Sequence, residues 1–391
     1  MSRWIVVGGG IVGAACAYFL AAERHEVTLL ERAGLTSGTS SSGQSNIGVP
    51  PGAGDAFPYF QAAAETYQIL RDQGFDLGFQ RHGHLYVARD STAAGQLLRD
   101  VEQVREAGLA THILTTSEIR SAQPRLSAEV EVAVLLPSGA QVSPMQTVFE
   151  LSRAARTMGA RIVTGTEVRG ISVIRGQFDS VETTAGRIHA DGIVIAAGAW
   201  SQHVAGLAGL NVPVRPRKGH VLVTEPAAGW MSHTIIDYGF DAALLEGSAS
   251  TPEDAIVGSV IQPLPTGNLL IGGSAEGKGF DRVVDRHTLM RIGMQSLELM
   301  PAIGSLRVIR TYAGLRPWTP DGWPIIGACP EIDGVVFATG HNSAGINAGP
   351  VTGRIVADVV AGRRPIFDTR PLSPDRFGSL TSVDPTGAPI A

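Results

Sequence analysis

The chain opens on an apolar run, Trp4-Ile5-Val6-Val7, that passes directly into Gly8-Gly9-Gly10-Ile11-Val12-Gly13. Few arrangements accept a G-x-G-x-x-G spacing between a strand and a helix, because each glycine answers a different steric demand. Gly8 permits a tight turn, Gly10 lets the backbone come close to a pyrophosphate, and Gly13 lets the helix lie against the strand. The free N–H groups at the start of such a helix, with the positive end of its dipole, favour a phosphate there. The pattern predicts a helix over Ile11–Glu23 and a second strand over Glu26–Leu30, ending at Glu31. An acid about 20 residues past the glycines suits a ribose 2′-hydroxyl and repels a 2′-phosphate. A Rossmann-like unit binding an ADP-containing dinucleotide is the expectation.

Composition narrows what surrounds that unit. At 391 residues the chain has room for two domains and a large core. Hydrophobic content of 44% with 17% charged residues is that of an ordinary globular protein. A formal net charge of −5 and a pI near 6.1 give no reason to expect nucleic acid or an anionic membrane as partner. The two cysteines, Cys16 and Cys329, form no C-x-x-C, and an in-chain iron–sulfur cluster would need about four thiolates. Cys16 stands among alanines in the first helix and reads as a packing residue. The ten histidines include one H-x-H, His82-Gly83-His84, but no H-E-x-x-H, and no metal is expected. A core strand at the very start leaves no room for a signal peptide, and no apolar run reaches ~18 residues. No transmembrane segment and a cytoplasmic location are therefore expected.

Past Glu31 lies a polar tract, Thr36–Gly48, whose composition alone suits a flexible linker. Its position, leaving the cofactor unit just after the ribose acid, suits a loop that wraps a phosphate or a planar ring. Helical periodicity follows in Phe57–Gln73 and Ala93–Ala107, separated by a strand at His84–Ala88. Thr115-x-x-Glu118 reads as a capping box, and Ser143-Pro144 as the N-cap and first residue of a helix running to Met158 with Gly159 beyond its end. Apolar strands at Arg161–Val163 and Gly192–Ala196 look like a return to the cofactor sheet. From Pro213 to about Val260 the pattern is strand-like, including Val221–Val223, Thr234–Ile236 and Ala242–Leu245. A strand at Asn268–Gly272, a helix at Arg286–Met300, a strand at Val335–Ala338 and a helix at Gly345–Ala361 complete the chain. The tail from Leu372, rich in Ser, Pro, Gly and Asp, reads as loosely held. The fold class is thus α/β with mixed α+β character: a Rossmann-like cofactor domain (1–50, 140–210 and 320–370), a discontinuous antiparallel-sheet substrate domain (51–139 and 211–319) and a C-terminal tail (371–391).

Three segments carry chemistry. Ile193–Ser201 ends a strand in small residues, including Gly198 and Trp200, where a backbone can pass close to a ligand. Ala313–Gly322 sets one arginine, Arg316, between Leu315, Pro317 and Trp318. Burying that guanidinium requires an anion, and its planar fork matches a carboxylate. The anion is either a substrate carboxylate or a fold carboxylate such as Asp321. Thr339–Asn347 precedes the last helix, whose positive end suits an anionic ring. His341 within it either faces that ring or merely caps a loop.

Taken together these segments resemble the FAD-dependent D-amino-acid oxidase superfamily, which includes glycine and sarcosine oxidases and D-amino-acid dehydrogenases. The resemblance covers residues 1 to about 365. Arg217-Lys218-Gly219-His220, Gly267–Gly272 and Gly314–Pro317 resemble most the flavin subunits of hydrogen cyanide synthase, opine oxidase and hydroxyproline or proline dehydrogenases. The resemblance implies FAD as cofactor. Gly8, Gly10 and Gly13, with Ile11, Val12, Glu31 and Arg32, are then at its ADP half. Ser41, Ser42, Asn46 and Gly48 reach toward the pyrophosphate and flavin, with Gly198 and Trp200 nearby. The backbone of Val168 meets the adenine. Gly340, His341, Asn342, Ser343, Gly345, Ile346 and Asn347 lie at the pyrimidine side of the ring, and Arg316 anchors the substrate carboxylate.

Two departures from that family matter. Some relatives tether FAD through a cysteine near Arg316, but none lies between Thr311 and Asp321, so non-covalent FAD is expected. Some carry a second arginine in the Gly-His turn, where this chain has Ser343. A single carboxylate grip fits a bulkier or N-substituted substrate. The implied activity is oxidation of an amine or an amino or imino acid by hydride transfer from the nitrogen-bearing carbon to flavin N5, giving an imine that hydrolyses. Tyr238 and Tyr312 are either polar walls of the substrate site or core residues. With one dinucleotide fingerprint, electrons must go to oxygen, a quinone or a partner such as an iron–sulfur or second flavoprotein subunit. The narrower resemblance favours a dehydrogenase in a hetero-oligomer. The alternatives are an oxygen-using oxidase, a non-catalytic flavin subunit and an NAD-dependent dehydrogenase.

Overall fold

The computed structural model describes residues 1–245 and 255–381. Around the first strand, Arg3–Val7, the expected parallel sheet forms, with Glu26–Leu30 on one side and Gly192–Ile195 on the other. Arg161–Val163 extends it beyond Glu26–Leu30, and Val335–Thr339 beyond Gly192–Ile195. The antiparallel strand Ile325–Ala328 completes a six-stranded sheet. Its inner strands are apolar at successive positions, as they must be when both faces are covered: Ile5, Val6, Ile193 and Val194 are all buried.

On one face lie the helices Ile11–Ala22, Pro144–Thr157 and Gly345–Val360. The first helix presents Ala14, Ala15, Cys16 and Ala17, all fully buried, and this run of small side chains lets the last helix approach at backbone distance. A Cβ on Gly353 would come within 2.5 Å of the Ala15 carbonyl carbon. The opposite face is covered by the antiparallel meander Val168–Ile174, Gln177–Thr183 and Gly186–His189 and by the short helix Ser201–Gly206.

A second sheet has eight strands, in the order Val308–Trp318, Arg215–Thr224, Leu269–Ala275, Ile256–Pro263, Thr234–Asp237, His84–Ala88, Val132–Leu136 and His112–Leu114. Every pairing is antiparallel except that of Thr234–Asp237 with His84–Ala88, which is parallel. The helix Arg286–Leu299 lies on it, its first turn capped by the Asp285 carboxylate, which accepts from the His287 and Thr288 amides. The capping box at Thr115 and Glu118 forms as its pattern predicts, and so does the Ser143 cap before Pro144. A small sheet of Asn46–Ile47, Ala140–Gln141 and Gln80–Arg81 ties the polar tract after Glu31 to the rest. Among the described residues, no helix is long and apolar enough to cross a membrane.

Two expectations are corrected. Ala242–Leu245 is no strand but the end of a helix, Tyr238–Leu245. A short apolar run carries no periodicity long enough to separate a buried strand from a buried helix. Here Tyr238, Phe240 and Leu244 are buried, the last two one turn apart, and the Asp237 carboxylate accepts from the Gly239 amide at the helix start. The tail is not loose over its first ten residues either. Leu372 and Leu380 are buried, the Asn211 amide donates to the Leu380 carbonyl at 2.7 Å, and Arg370–Leu372 and Pro374–Phe377 form single helical turns. Residues 382–391 lie outside the described part.

Candidate active site

One long cavity runs from the glycine loop at the edge of the parallel sheet to the inner surface of the eight-stranded sheet. It encloses about 1870 Å³ of space between atoms, its open mouth included. At one end stand Gly8, Gly9, Gly10, Ile11, Val12, Glu31 and Arg32; at the other, Arg316, Phe240 and Asp241; the turn from Thr339 to Asn347 forms a long side.

At the first end the glycines do what their spacing requires. A Cβ on Gly8, whose φ is +118°, would meet the Ala196 carbonyl oxygen at 2.4 Å, and one on Gly13 would meet the Gly8 carbonyl oxygen at 1.9 Å. Gly13 is therefore a packing residue below the loop and does not line the cavity. The Glu31 carboxylate accepts from the Gly9 amide at 2.7 Å and from the Ala33 amide at 2.8 Å, which fixes it beside the loop. The Arg32 guanidinium lies over the Trp200 ring, 4.3 Å from its centre. No side chain caps the N-terminal Gly10 of the first helix, although the Ser40 hydroxyl accepts from the Ile11 amide at 3.0 Å.

The turn before the last helix is held from several sides. His341 is buried, with Nε2 at 2.8 Å from the Thr352 hydroxyl, which itself donates to the Ala348 carbonyl. With that hydroxyl proton committed, the imidazole is the donor, and burial takes its pKa down to about 3. His341 is thus a neutral pin between turn and helix as well as a cavity wall. Asn342, at φ +48°, donates its amide to the Pro317 carbonyl at 2.9 Å and its carboxamide to the Leu244 carbonyl at 3.4 Å. Asn347 and Gly48 exchange two hydrogen bonds: the Asn347 side chain donates to the Gly48 carbonyl at 2.7 Å, and the Gly48 amide donates back at 3.3 Å. Ala344, the N-cap of the last helix, supplies no side-chain cap, so that helix end also faces the cavity with free amides.

Arg316 occupies the far end. Its guanidinium passes over Gly219, where a Cβ would sit 2.0 Å from Nη1, and donates from Nη1 to the Ser274 carbonyl at 2.7 Å. Ser274 is itself fixed. Its hydroxyl donates to Glu276 at 3.2 Å and accepts from the His220 amide at 3.1 Å. His220 Nε2 accepts from the Asp285 amide, so the ring proton is on Nδ1, facing Ser274 and Glu276. Directly opposite Arg316 across the strand pair stands Arg217, buried, with neither Nη atom hydrogen-bonded. Burial, and then the charge of Arg217, lower the Arg316 pKa to about 10. Among the described residues no carboxylate pairs with either guanidinium. Asp321 is engaged by Arg376 at 2.6 Å.

Of the remaining residues singled out from the sequence, Ser42, Asn46, Gly48, Gly198, Trp200, Asn342, Ser343, Gly345, Ile346 and Asn347 border the cavity, together with Ile11 and Val12. Gly340 lies just outside the lining, holding the turn beside Thr319 and Ile325. Four residues stand elsewhere. Ser41 is exposed on the outside of the loop, because the single turn Thr39–Ser41 directs Ser40 inward instead. Val168 is buried in the core under the meander. Tyr238 points away and donates to Asp100. Tyr312 lies further along its strand from Arg316, outside the lining. Residues the sequence reading missed are Thr39, whose hydroxyl donates to the Leu315 carbonyl, Ser40, Gln44, Phe240 and Asp241. The serine-rich tract signalled the first three only as a group; nothing in the sequence marked the last two.

The cavity suits an extended dinucleotide with a planar ring. Two helix starts without side-chain caps open onto it, a glycine cradle admits a phosphate chain, and the buried carboxamide oxygens of Asn46 and Asn342 have no partner among the described residues. Buried polar atoms in folded proteins generally have a partner, and a polar ring edge would satisfy these two.

The family described as FAD dependent oxidoreductase (DAO) matches residues 3–359. The glycine oxidase of Geobacillus kaustophilus (strain HTA426) is 31% identical over 389 residues, covering 97% of this chain and 98% of that protein. The hydrogen cyanide synthase subunit HcnC of Pseudomonas aeruginosa is 27% identical over 417 residues, with 95% of each covered. The crystal structure of the Geobacillus kaustophilus glycine oxidase superposes with a TM-score of 0.84 at 29% identity, over 95% of this chain and 98% of that one.

Proposed function

Because the chain belongs to the FAD-dependent oxidoreductase family and its relatives include glycine oxidases, we propose that it oxidises an amino or imino acid held by its carboxylate at Arg316. The observation that carries this reading is the guanidinium itself: half-buried, lining the cavity and, among the described residues, without a carboxylate partner. A bidentate grip there fixes the acid end, and the wall of Val221, Ile236, Phe240, Leu244 and Val260 receives the side chain. Gly8, Gly10, Ile11, Val12, Glu31, Ser40 and Arg32 would hold the ADP half of FAD, and Asn46, Gly48 and the 341–347 turn its ring. FAD supplies the oxidant, accepting the hydride that leaves the nitrogen-bearing carbon. The chain's residues orient that carbon and exclude water.

Neither cysteine lines the cavity. Cys16 is in the first helix and Cys329 beyond the sheet, and burial raises the thiol pKa of both. Non-covalent FAD follows. Acid precipitation of the purified chain is expected to leave the yellow colour in the supernatant; colour retained by the pellet would contradict it.

For the electron acceptor, the likeness to HcnC, a subunit by name, supports a dehydrogenase that passes electrons to a partner or a quinone. The likeness to glycine oxidase favours a second reading, direct use of oxygen. Stopped-flow with D-amino acids, proline derivatives, sarcosine and opines separates them. A true substrate should bleach the flavin anaerobically, with reoxidation by air slower than by an artificial dye. Fast stoichiometric peroxide formation would establish the oxidase; no bleaching by any amine would leave a non-catalytic flavin subunit.

A further inference from the structure

The helix Tyr238–Leu245 roofs the substrate end of the cavity. Its Phe240 ring and the Arg316 guanidinium stand side by side: a Cβ on Gly273 would be 3.6 Å from Arg316 Nη2 and 3.7 Å from Phe240 Cζ. Asp241, the next residue, also lines the cavity. Its Oδ2 is buried with no hydrogen-bond partner, although three residues earlier the Tyr238 hydroxyl has found Asp100. A buried carboxylate oxygen is costly without a donor, and none of the described residues supplies one.

We infer that Asp241 receives the cationic nitrogen of the substrate and takes its proton. The inference rests on the carboxylate reading of Arg316. The cavity then carries a fixed cation for the acid group and a fixed anion for the ammonium, which defines the substrate as a zwitterionic amino or imino acid. In the step, one N–H bond of the substrate breaks, an O–H bond forms on Asp241, and the nitrogen keeps the electron pair. That pair forms the C=N bond as the neighbouring carbon gives its hydride to FAD. Asp241 then loses the proton to solvent through the open mouth.

The surroundings suit a group that changes protonation near neutrality. Burial, and then the charge of Asp237, raise the Asp241 pKa to about 7. Asp237 itself is paired with Arg89 at 3.3 Å. From the adjoining strand, Tyr86 is held neutral, its pKa far above the usual value through burial and the Asp241 charge, and His84 is neutral with a pKa of about 4. Asp100, on the helix Ser91–Glu106, faces Tyr238; the strand Ile256–Pro263, also packed on the roof helix, carries no titratable side chain. Asp55 in the 51–56 segment is exposed, and His341 across the cavity is neutral.

The test uses the FAD-loaded enzyme and two near-isosteric probes without an α-hydrogen, 2-aminoisobutyrate and pivalate, titrated by flavin absorbance. Wild type should bind 2-aminoisobutyrate at least tenfold more tightly than pivalate at pH 8 and lose about tenfold of that affinity by pH 6, as Asp241 protonates. Asp241→Asn should abolish both the preference and the pH dependence while binding pivalate at least as well. With any amine that bleaches the flavin, kcat/KM should rise through about pH 7 in wild type, lack that limb in Asp241→Asn, and regain part of it in Asp241→Glu. Asp241→Asn should also melt higher than wild type at pH 8, and by a smaller margin at pH 5. The raised pKa means that Asp241 weakens the fold as pH climbs between its ordinary value and about 7. An unchanged amine preference in Asp241→Asn overturns the inference. Equal pivalate binding by wild type and Arg316→Met would instead overturn the Arg316 reading, and failure of wild type to bind either probe overturns both.

Discussion

Arg316→Ala is expected to raise the apparent KM for the physiological substrate about 30- to 1,000-fold while FAD stays bound and the melting temperature does not fall. The range corresponds to the loss of a charge-assisted pair in a desolvated site, on the order of 2–4 kcal/mol. The split between activity and stability is the diagnostic part. Arg316 has one hydrogen bond within the fold, to the Ser274 carbonyl, and it faces a second buried guanidinium, Arg217, so its removal relieves repulsion inside the sheet. Arg316→Lys should behave more like alanine than like wild type, since an ammonium cannot present two parallel donors to a carboxylate. Steady-state kinetics beside a thermal melt decide the matter. A KM change below threefold would show that the guanidinium serves only the protein.

Gly353→Ala should destabilise the fold by about 2–3 kcal/mol and weaken FAD binding, against the usual trend for a glycine inside a helix. Replacing a mid-helix glycine by alanine ordinarily gains roughly 0.5–1 kcal/mol. Gly293, in the middle of Arg286–Leu299 with nothing within 4 Å of a built Cβ, should follow that rule. Gly353 should reverse it, because the new methyl would meet the Ala15 carbonyl carbon at 2.5 Å and its oxygen at 2.6 Å. Backbone cannot turn aside as a side chain can, so the two helices must separate. The first helix would then shift at Gly10, where its free end faces the cavity. Urea midpoints for the two alanine variants provide the comparison; a stabilised Gly353→Ala would mean that the helices separate freely.

What could be read from the sequence follows from how far each signal reaches. The glycine loop, the first helix and Glu31 are set by neighbours a few residues apart, so their geometry was legible. Arg316 was legible because an arginine between Leu315 and Trp318 is chemically out of place wherever it folds. Tyr238–Leu245 was misread because eight residues with three small ones carry too little periodicity. Without that helix the opposite fates of Tyr238, turned to Asp100, and Asp241, turned to the cavity, could not be seen. Ser40 and Ser41 are chemically equivalent on paper; only the single turn at Thr39–Ser41 decides which one faces inward. The docking of Leu380 depends on Asn211 and Glu331, contacts too distant in sequence for composition to reveal.

The reciprocal bonds between Asn347 and Gly48 join positions 299 residues apart. During vectorial synthesis, the stretch after Glu31 has to wait for nearly the whole polypeptide before its anchor emerges. Arg3–Val7 likewise has only Glu26–Leu30 beside it until Gly192–Ile195 is made. Long-range closure of this kind slows folding and leaves a strand edge open to other chains. A nascent chain arrested before residue 345 should therefore lack a finished cofactor cradle, which makes cofactor capture a late event in the birth of the protein.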